Sequence, residues 1–363
     1  MIFPFIFAFA IMTFISLEHK NKSITCLVVA SVLMSILILC FFVGINSGTP
    51  DYMNYYRYFK NSPSLIENSF LNYSEETHTE MGFDVLQGFI RIFSKSATLF
   101  FGIVCFISLF FRYNFYSFFC EHKADICILF FAFFAHEFLR KDCIQIRNGI
   151  ASSIILYSLK YLFNEKRGVF LIYVFFAASF QVTAIIAIPL LIVRKQLSRN
   201  YRFFLFSVFF LAILFSVFLP IKKIMEIMND YGVLPSAIYN YLYWTEFSKP
   251  MSFSNPLLLK QVIITVFILF KNKKYFCDEK LFFYFQVYFV CTVYYLVFRD
   301  FEILAGRFGS LMYGVEPLLL LRCIYVDKKN ILYKKVCLYL FYFLFFIMNV
   351  MTNNFLSWKP LLD

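Results

Sequence analysis

The chain has 363 residues, 61% of them hydrophobic, with 54 Phe, 25 Tyr, a net charge of +12 and a mean hydropathy of +0.71. Soluble domains carry about 45–50% apolar residues, so a soluble globular protein is excluded and an integral membrane protein is indicated. The apolar runs lack the alternation of an outer-membrane barrel, so the spans are read as helices.

A membrane helix needs roughly 20 mostly apolar residues. In chain order the candidates are 2–17, 24–44, 97–119, 125–139, 149–163, 168–193, 203–220, 256–270, 281–298, 308–325 and 336–352. The first carries no basic residue before it and no small-residue cleavage site after it, so it reads as a retained helix. No linker divides the sequence, which reads as a single membrane domain over 1–363 with two long loops, 45–96 and 221–255.

Short basic loops stay in the cytoplasm. With the N-terminus outside, inner loops carry Lys20 and Lys22, then Arg112 and Lys123, then Lys160, Lys166 and Arg167. If 168–193 crossed once, Arg194, Lys195, Arg199, Arg202 and two later lysine clusters would all face outward. A segment that dips in and returns, turning near Gln181, puts these groups inside at the cost of placing Lys222 and Lys223 outside, a smaller violation; Arg140, Lys141 and Arg147 lie outside under either threading. The expected fold is all-α and polytopic, with about ten full transmembrane helices plus a re-entrant or broken hairpin. Eleven plain spans are the alternative. The inner basic loops suit anionic lipid headgroups, so the charge requires no nucleic acid partner.

Polar residues at the outer boundary carry the candidate chemistry. The loop after the second span holds Asp51, Tyr52 and Tyr55. A carboxylate beside aromatic rings suits sugar binding, and an interfacial aromatic belt explains the same residues. Glu80 and Asp84 share one face if 80–93 is an interfacial helix. Between the fourth and fifth spans lie Arg140, Lys141 and Arg147. Arg140 and Lys141 can snorkel, whereas Arg147 stands at a helix start, where the amides and the guanidinium fork favour an anion. His136 reads either as a proton carrier or as a structural histidine. Arg307 is expected to open the span 308–325, and Glu316 lies within it, with Arg307 or Arg322 as its partner. The loop 221–255 holds Tyr231, Tyr239, Tyr241, Tyr243 and Trp244, which suit either a carbohydrate surface or an interfacial helix. No nucleotide-binding loop, zinc motif or paired-cysteine spacing occurs, so no metal or cofactor is expected.

Several of these elements appear in a recognisable order. Gly48-Thr49-Pro50-Asp51-Tyr52 with Tyr55, Glu80-Met81-Gly82-Phe83, Arg147-Asn148-Gly149-Ile150-Ala151, Phe180-Gln181-Val182-Thr183-Ala184 and the late Arg307 follow one another along the chain. This order resembles the EpsG/Wzy-type polysaccharide (O-antigen) polymerases of bacterial envelopes, above all the EpsG-like branch. Pro50 interrupts the first element, and Gln181 stands where members often carry His. The resemblance implies a GT-C-like fold in the bacterial inner membrane. It also implies metal-independent joining of undecaprenyl-pyrophosphate-linked oligosaccharide units at the outer face, among membrane lipids and with a chain-length regulator as a possible partner. In that scheme Asp51 or Glu80 is the catalytic base, and Arg140, Arg147 and Arg307 hold the pyrophosphate. Tyr52, Tyr55, Tyr243 and Trp244 hold sugars. The rival readings are a flippase or transporter of the same lipid-linked oligosaccharide and a membrane acyltransferase. An Arg199→Cys variant tests the topology: a membrane-impermeant thiol reagent should label it only from the cytoplasmic side, and outside-only labelling would refute the hairpin.

Overall fold

The computed structural model describes residues 22–45, 48–67, 69–70, 73, 79–193, 199–218, 221–232, 249–271 and 273–352. The first expected span, Glu75, Glu76 and His78, Arg194 and Lys195, and the loop aromatics Tyr239, Tyr241, Tyr243 and Trp244 lie outside the described residues. Among the described residues the secondary structure is helical and no strand occurs. Lipid demands this, because each backbone polar group must be satisfied within its own segment. Ala97–Phe119, Tyr201–Phe218, Glu279–Val297 and Ile331–Asn349 are long and apolar enough to cross a membrane. The pair Glu302–Ser310 and Val315–Asp327, bent by 52°, makes a fifth if it is one span. The expected spans 24–44 and 149–163 lie within the continuous helices Lys22–Ile45 and Ile146–Phe163, whereas 168–193 is divided and 256–270 gives the 14-residue helix Pro256–Leu269. The chain divides into two compact units, Met1–Ile188 with Asp327–Asp363, and Pro189–Val326.

The first unit contains α1 (Lys22–Ile45), α2 (Tyr52–Asn61), α3 (Met81–Phe93), α4 (Ala97–Phe119), α5 (Ile126–Phe133), α6 (Ile146–Phe163) and α7 (Arg167–Ala178). Its last helix is Ile331–Thr352. Ser96 starts α4 by accepting from the Leu99 N–H at 3.3 Å, a satisfied cap. α4 packs against α1 and α6, and α6 packs against α7.

The expected span 125–139 is helical from 126 to 141 but changes its winding. After α5 the chain widens into a π turn, Phe134–Phe138, followed by one α turn, Leu139–Lys141. The π turn carries Glu137, which receives Arg112 Nη1 at 3.1 Å and Lys141 Nζ at 3.0 Å. Lys141 also donates to Ser152 Oγ at 2.9 Å, and the Arg112 guanidinium lies 4.0 Å from the Phe133 ring centroid. These contacts correct two expectations. Arg112 does not sit in a loop, and Lys141 does not snorkel: both are buried, at 0% and 1% exposure. A buried cation needs a carboxylate, and Glu137 serves both. The last helix is tied to this region from both ends. Lys335 pairs with Asp125 at 2.6 Å, and Asn349 donates to the Ala135 carbonyl at 2.8 Å.

The expected segment 168–193 is also divided. α7 ends at Ala178, and a 3-10 helix, Val182–Ile192, follows with Pro189 inside it. The break spans Ser179 to Gln181, where the sequence places a turn. Upstream, α6 ends in a Schellman arrangement, with Lys166 N–H on Tyr161 O at 2.8 Å and Glu165 N–H on Leu162 O at 3.0 Å. Glu165 takes the left-handed position at φ 61°, which glycine occupies at lower cost.

The second unit holds α8 (Arg199–Phe218), α9 (Ile221–Asp230), α10 (Pro256–Leu269), α11 (Glu279–Val297), α12 (Glu302–Ser310) and α13 (Val315–Asp327). Asn255 caps α10 through the Leu257 N–H at 3.0 Å, with Pro256 at the first turn. Asp278 caps α11 through the Leu281 N–H at 2.9 Å and pairs with Arg322 at 2.5 Å. Burial works to raise the Asp278 carboxyl, but Arg322 and the Leu281 N–H outweigh it and hold it below the usual carboxylate range.

The expected continuous span 308–325 is broken at 311–314. Arg307 therefore lies in the last turn of α12 and does not open a long helix. Glu316 begins α13, and its partner is neither Arg307 nor Arg322: Lys260 Nζ lies 2.8 Å away and the Tyr288 hydroxyl donates at 3.0 Å. Arg299 and Asp300 do not serve each other. Arg299 donates to Ser216 Oγ and O, both at 3.1 Å, and Asp300 accepts from the Lys222 N–H at 3.3 Å.

Two stability outcomes follow. Glu165→Gly should stabilise the protein by about 0.5–1 kcal/mol, read as a higher melting temperature in detergent. Glu316→Ala strands a buried ammonium and should cost about 3–5 kcal/mol, whereas the double change Lys260→Met with Glu316→Leu should recover most of that loss.

Candidate active site

Glu80 occupies the position before α3 with extended backbone, and its side chain makes no cap to its own helix. It turns instead to two distant partners. One carboxylate oxygen pairs with Arg147 in the first turn of α6. The other accepts from the backbone N–H of Val182, the first residue of the 3-10 helix, at 3.3 Å. Three sequence elements separated by up to 102 residues thus meet on one carboxylate.

Local chemistry explains each element. Gly82 donates its N–H to the Ser179 carbonyl at 2.8 Å. A Cβ there would stand 2.3 Å from Ser179 Oγ and 2.7 Å from Ser179 O, so only glycine permits this approach of α3 to the break after α7. Phe83 is fully buried and meets Tyr55 edge-on at 5.8 Å. The Arg147 guanidinium lies 5.9 Å from both ring centroids, which partly shields its ion pair from water. Side-chain exposures of 25% for Arg147 and 19% for Glu80 leave the pair open to a ligand, yet less screened than a surface bridge.

The start of α6 is braced from behind. Ser108 Oγ donates to the Gly149 carbonyl at 3.2 Å, and a Cβ on Gly149 would lie 2.9 Å from the Lys141 carbonyl. Asn148 donates to Gln145 Oε1 at 3.1 Å. Asp142 is buried in the same turn; burial pushes its carboxyl up, opposed by Arg112, Ser108 and Lys141.

The remaining predicted residues are distributed as follows. Asp51 is half-buried and immediately precedes α2, which carries Tyr55 to the guanidinium. Tyr52 is buried, stacked on Phe101 at 4.7 Å. Arg140 is half-buried beside Lys141. Glu80 and Asp84 diverge because the helix begins after Glu80; Asp84 is buried and accepts from the Thr79 hydroxyl. His136 packs edge-on against Phe345 at 5.5 Å. Arg307 belongs to the second unit, and Tyr243 and Trp244 lie outside the described residues. Sequence reasoning missed the Val182 N–H and the Ser179 carbonyl. The signal that could have found the latter is a glycine between Glu80 and Phe83, where a helix start tolerates any small residue but a close backbone crossing does not.

The arrangement supplies a guanidinium fork, a helix-start N–H, a carboxylate and an aromatic face. The first two are anion donors, and the carboxylate can accept a proton. Among the described residues no group of three or more His, Cys, Asp or Glu could hold a metal ion.

No curated protein and no solved structure matches the chain. The model of the EpsG family matches residues 29–362, nearly its whole length. The chain therefore belongs to the EpsG family, and it is a membrane-embedded, glycosyltransferase-like protein of the polysaccharide-polymerase kind.

Proposed function

We propose that this protein joins oligosaccharide units carried on a polyprenyl (undecaprenyl) pyrophosphate into a surface polysaccharide, in the inner membrane with its active site on the outer face. The observation that carries this reading is the junction of Glu80, Arg147 and the Val182 N–H. A carboxylate beside two anion donors supports a proton acceptor next to a phosphoryl leaving group.

In the reaction, the hydroxyl oxygen of the acceptor sugar attacks the anomeric carbon of the donor. The new glycosidic bond forms as the anomeric carbon–oxygen bond to pyrophosphate breaks, and that electron pair leaves with the pyrophosphate. The hydroxyl proton passes to a carboxylate, for which Glu80 is placed and Asp51 is the second candidate. Arg147, with Arg140 in the neighbouring turn, stabilises the charge that develops on the leaving group. Tyr55 offers a ring edge for a sugar. The donor carries its own leaving group, so neither a nucleotide sugar nor a metal is required.

Arg147→Ala should lower the chain-joining rate by about 10²- to 10³-fold, the usual loss on removing one transition-state charge donor, and Arg147→Lys should restore little, because the planar fork is lost. The check is a gel of surface glycan length at matched expression. Cells should show single units in place of long chains, and unchanged long chains would defeat the reading. A lipid-linked oligosaccharide flippase would instead leave no units at the surface. Gly82→Val should drive α3 from Ser179, cost about 1–3 kcal/mol and shorten the glycans in the same assay.

A further inference from the structure

We propose that Glu80 is a displaceable internal anion: the donor's phosphoryl oxygens replace its carboxylate on Arg147 and the Val182 N–H, and the freed carboxylate turns to the acceptor hydroxyl. This inference rests on the polymerase reading and adds an order of events to it.

Four observations support the exchange. The carboxylate spans its two donors with one oxygen on each, the two-point pattern by which a phosphoryl group is held. The Glu80 side chain makes no cap bond to α3, so its release costs that helix nothing. The pair is about one-fifth to one-quarter exposed, so an incoming ligand can reach it. The helix start stays anchored through the Gly82 N–H on Ser179 O at 2.8 Å, so the exchange requires rotation of a side chain and no movement of α3.

The electrostatics favour a swap over simple addition. Arg147 sits against Tyr55 and Phe83, where an unpaired guanidinium is costly. Replacing one anion with another keeps it paired throughout. Two anions on one guanidinium would repel, so binding of the donor expels Glu80. Until then the carboxylate is engaged by Arg147 and the Val182 N–H. Donor binding thus precedes acceptor activation, and an empty site does not spend its base.

The ligand chemistry is a diphosphate, either free or lipid-linked, and equilibrium binding to the purified full-length protein in detergent separates the two. The probes are inorganic pyrophosphate and a polyprenyl pyrophosphate. Removing an internal competitor should tighten binding, so Glu80→Gln should gain about threefold to tenfold in affinity. Glu80→Asp keeps the charge but is one methylene too short to span both donors, and it should gain less. Adding Arg147→Ala should abolish the gain. A gain for both probes, or for the lipid-linked probe alone, supports exchange at the donor site. A gain for inorganic pyrophosphate alone supports exchange with free diphosphate as the ligand. Unchanged or weaker affinity in both Glu80 variants overturns the proposal and leaves Glu80 a structural brace, as does a gain that survives loss of Arg147. Because this readout is binding, it stands apart from the glycan-length assay: long chains in Arg147→Ala would sink the polymerase reading alone.

Discussion

The carboxylate of Glu80 is the point at which three segments of the first unit meet. It links the residue before α3, the first turn of α6 and the first residue of the 3-10 helix. None of these segments could meet there with ordinary side chains at the crossings. Gly82 lets α3 touch the break at Ser179, and Gly149 lets α6 touch the turn at Lys141. Two glycines thus set the backbone distances, and one ion pair uses them.

Charged groups elsewhere in the chain follow the same rule: each strongly buried cation meets a carboxylate from another helix or turn. Arg112 and Lys141 share Glu137 across a π turn. Lys260 meets Glu316 where a span is broken. In both places the helix is irregular, and the irregularity presents a carboxylate to a cation that an unbroken helix would not reach in the same way. Irregular backbone inside a membrane is tolerated only where protein or a watery cavity covers it. The Arg112–Glu137–Lys141 network also lies behind the turn that braces Arg147, so the stability of the first unit and the position of Arg147 are coupled through Ser152, Lys141 and Gly149.

The legible part of the structure was the part governed by composition. Helices at 97–119, 256–269 and 279–297 follow apolar runs closely, and the structure adds their caps, Ser96, Asn255 and Asp278. The break at Gln181 was legible from charge bookkeeping, and Arg147 from its place ahead of an apolar run. Pairing across the bundle was not legible. Arg112 sits toward the end of its apolar run and reads as a loop residue, and nothing local signals that Glu137 awaits it. The break at 311–314 is hidden because Leu311-Met312-Tyr313 continues the apolar run. Glu316 was recognisable as needing a partner, but Lys260 lies 56 residues away. The Val182 contribution is a backbone N–H, which no residue type announces.

These features describe a protein in which loop and helix-start polar groups converge on an apolar helical frame. The central claim is that this frame joins lipid-linked sugars without help from nucleotide or metal. The most direct measurement reconstitutes the purified full-length protein in liposomes with lipid-linked repeat units and a chelator. The account predicts a ladder of glycans of increasing length with release of polyprenyl pyrophosphate. Single units that cross the bilayer and never lengthen would contradict it.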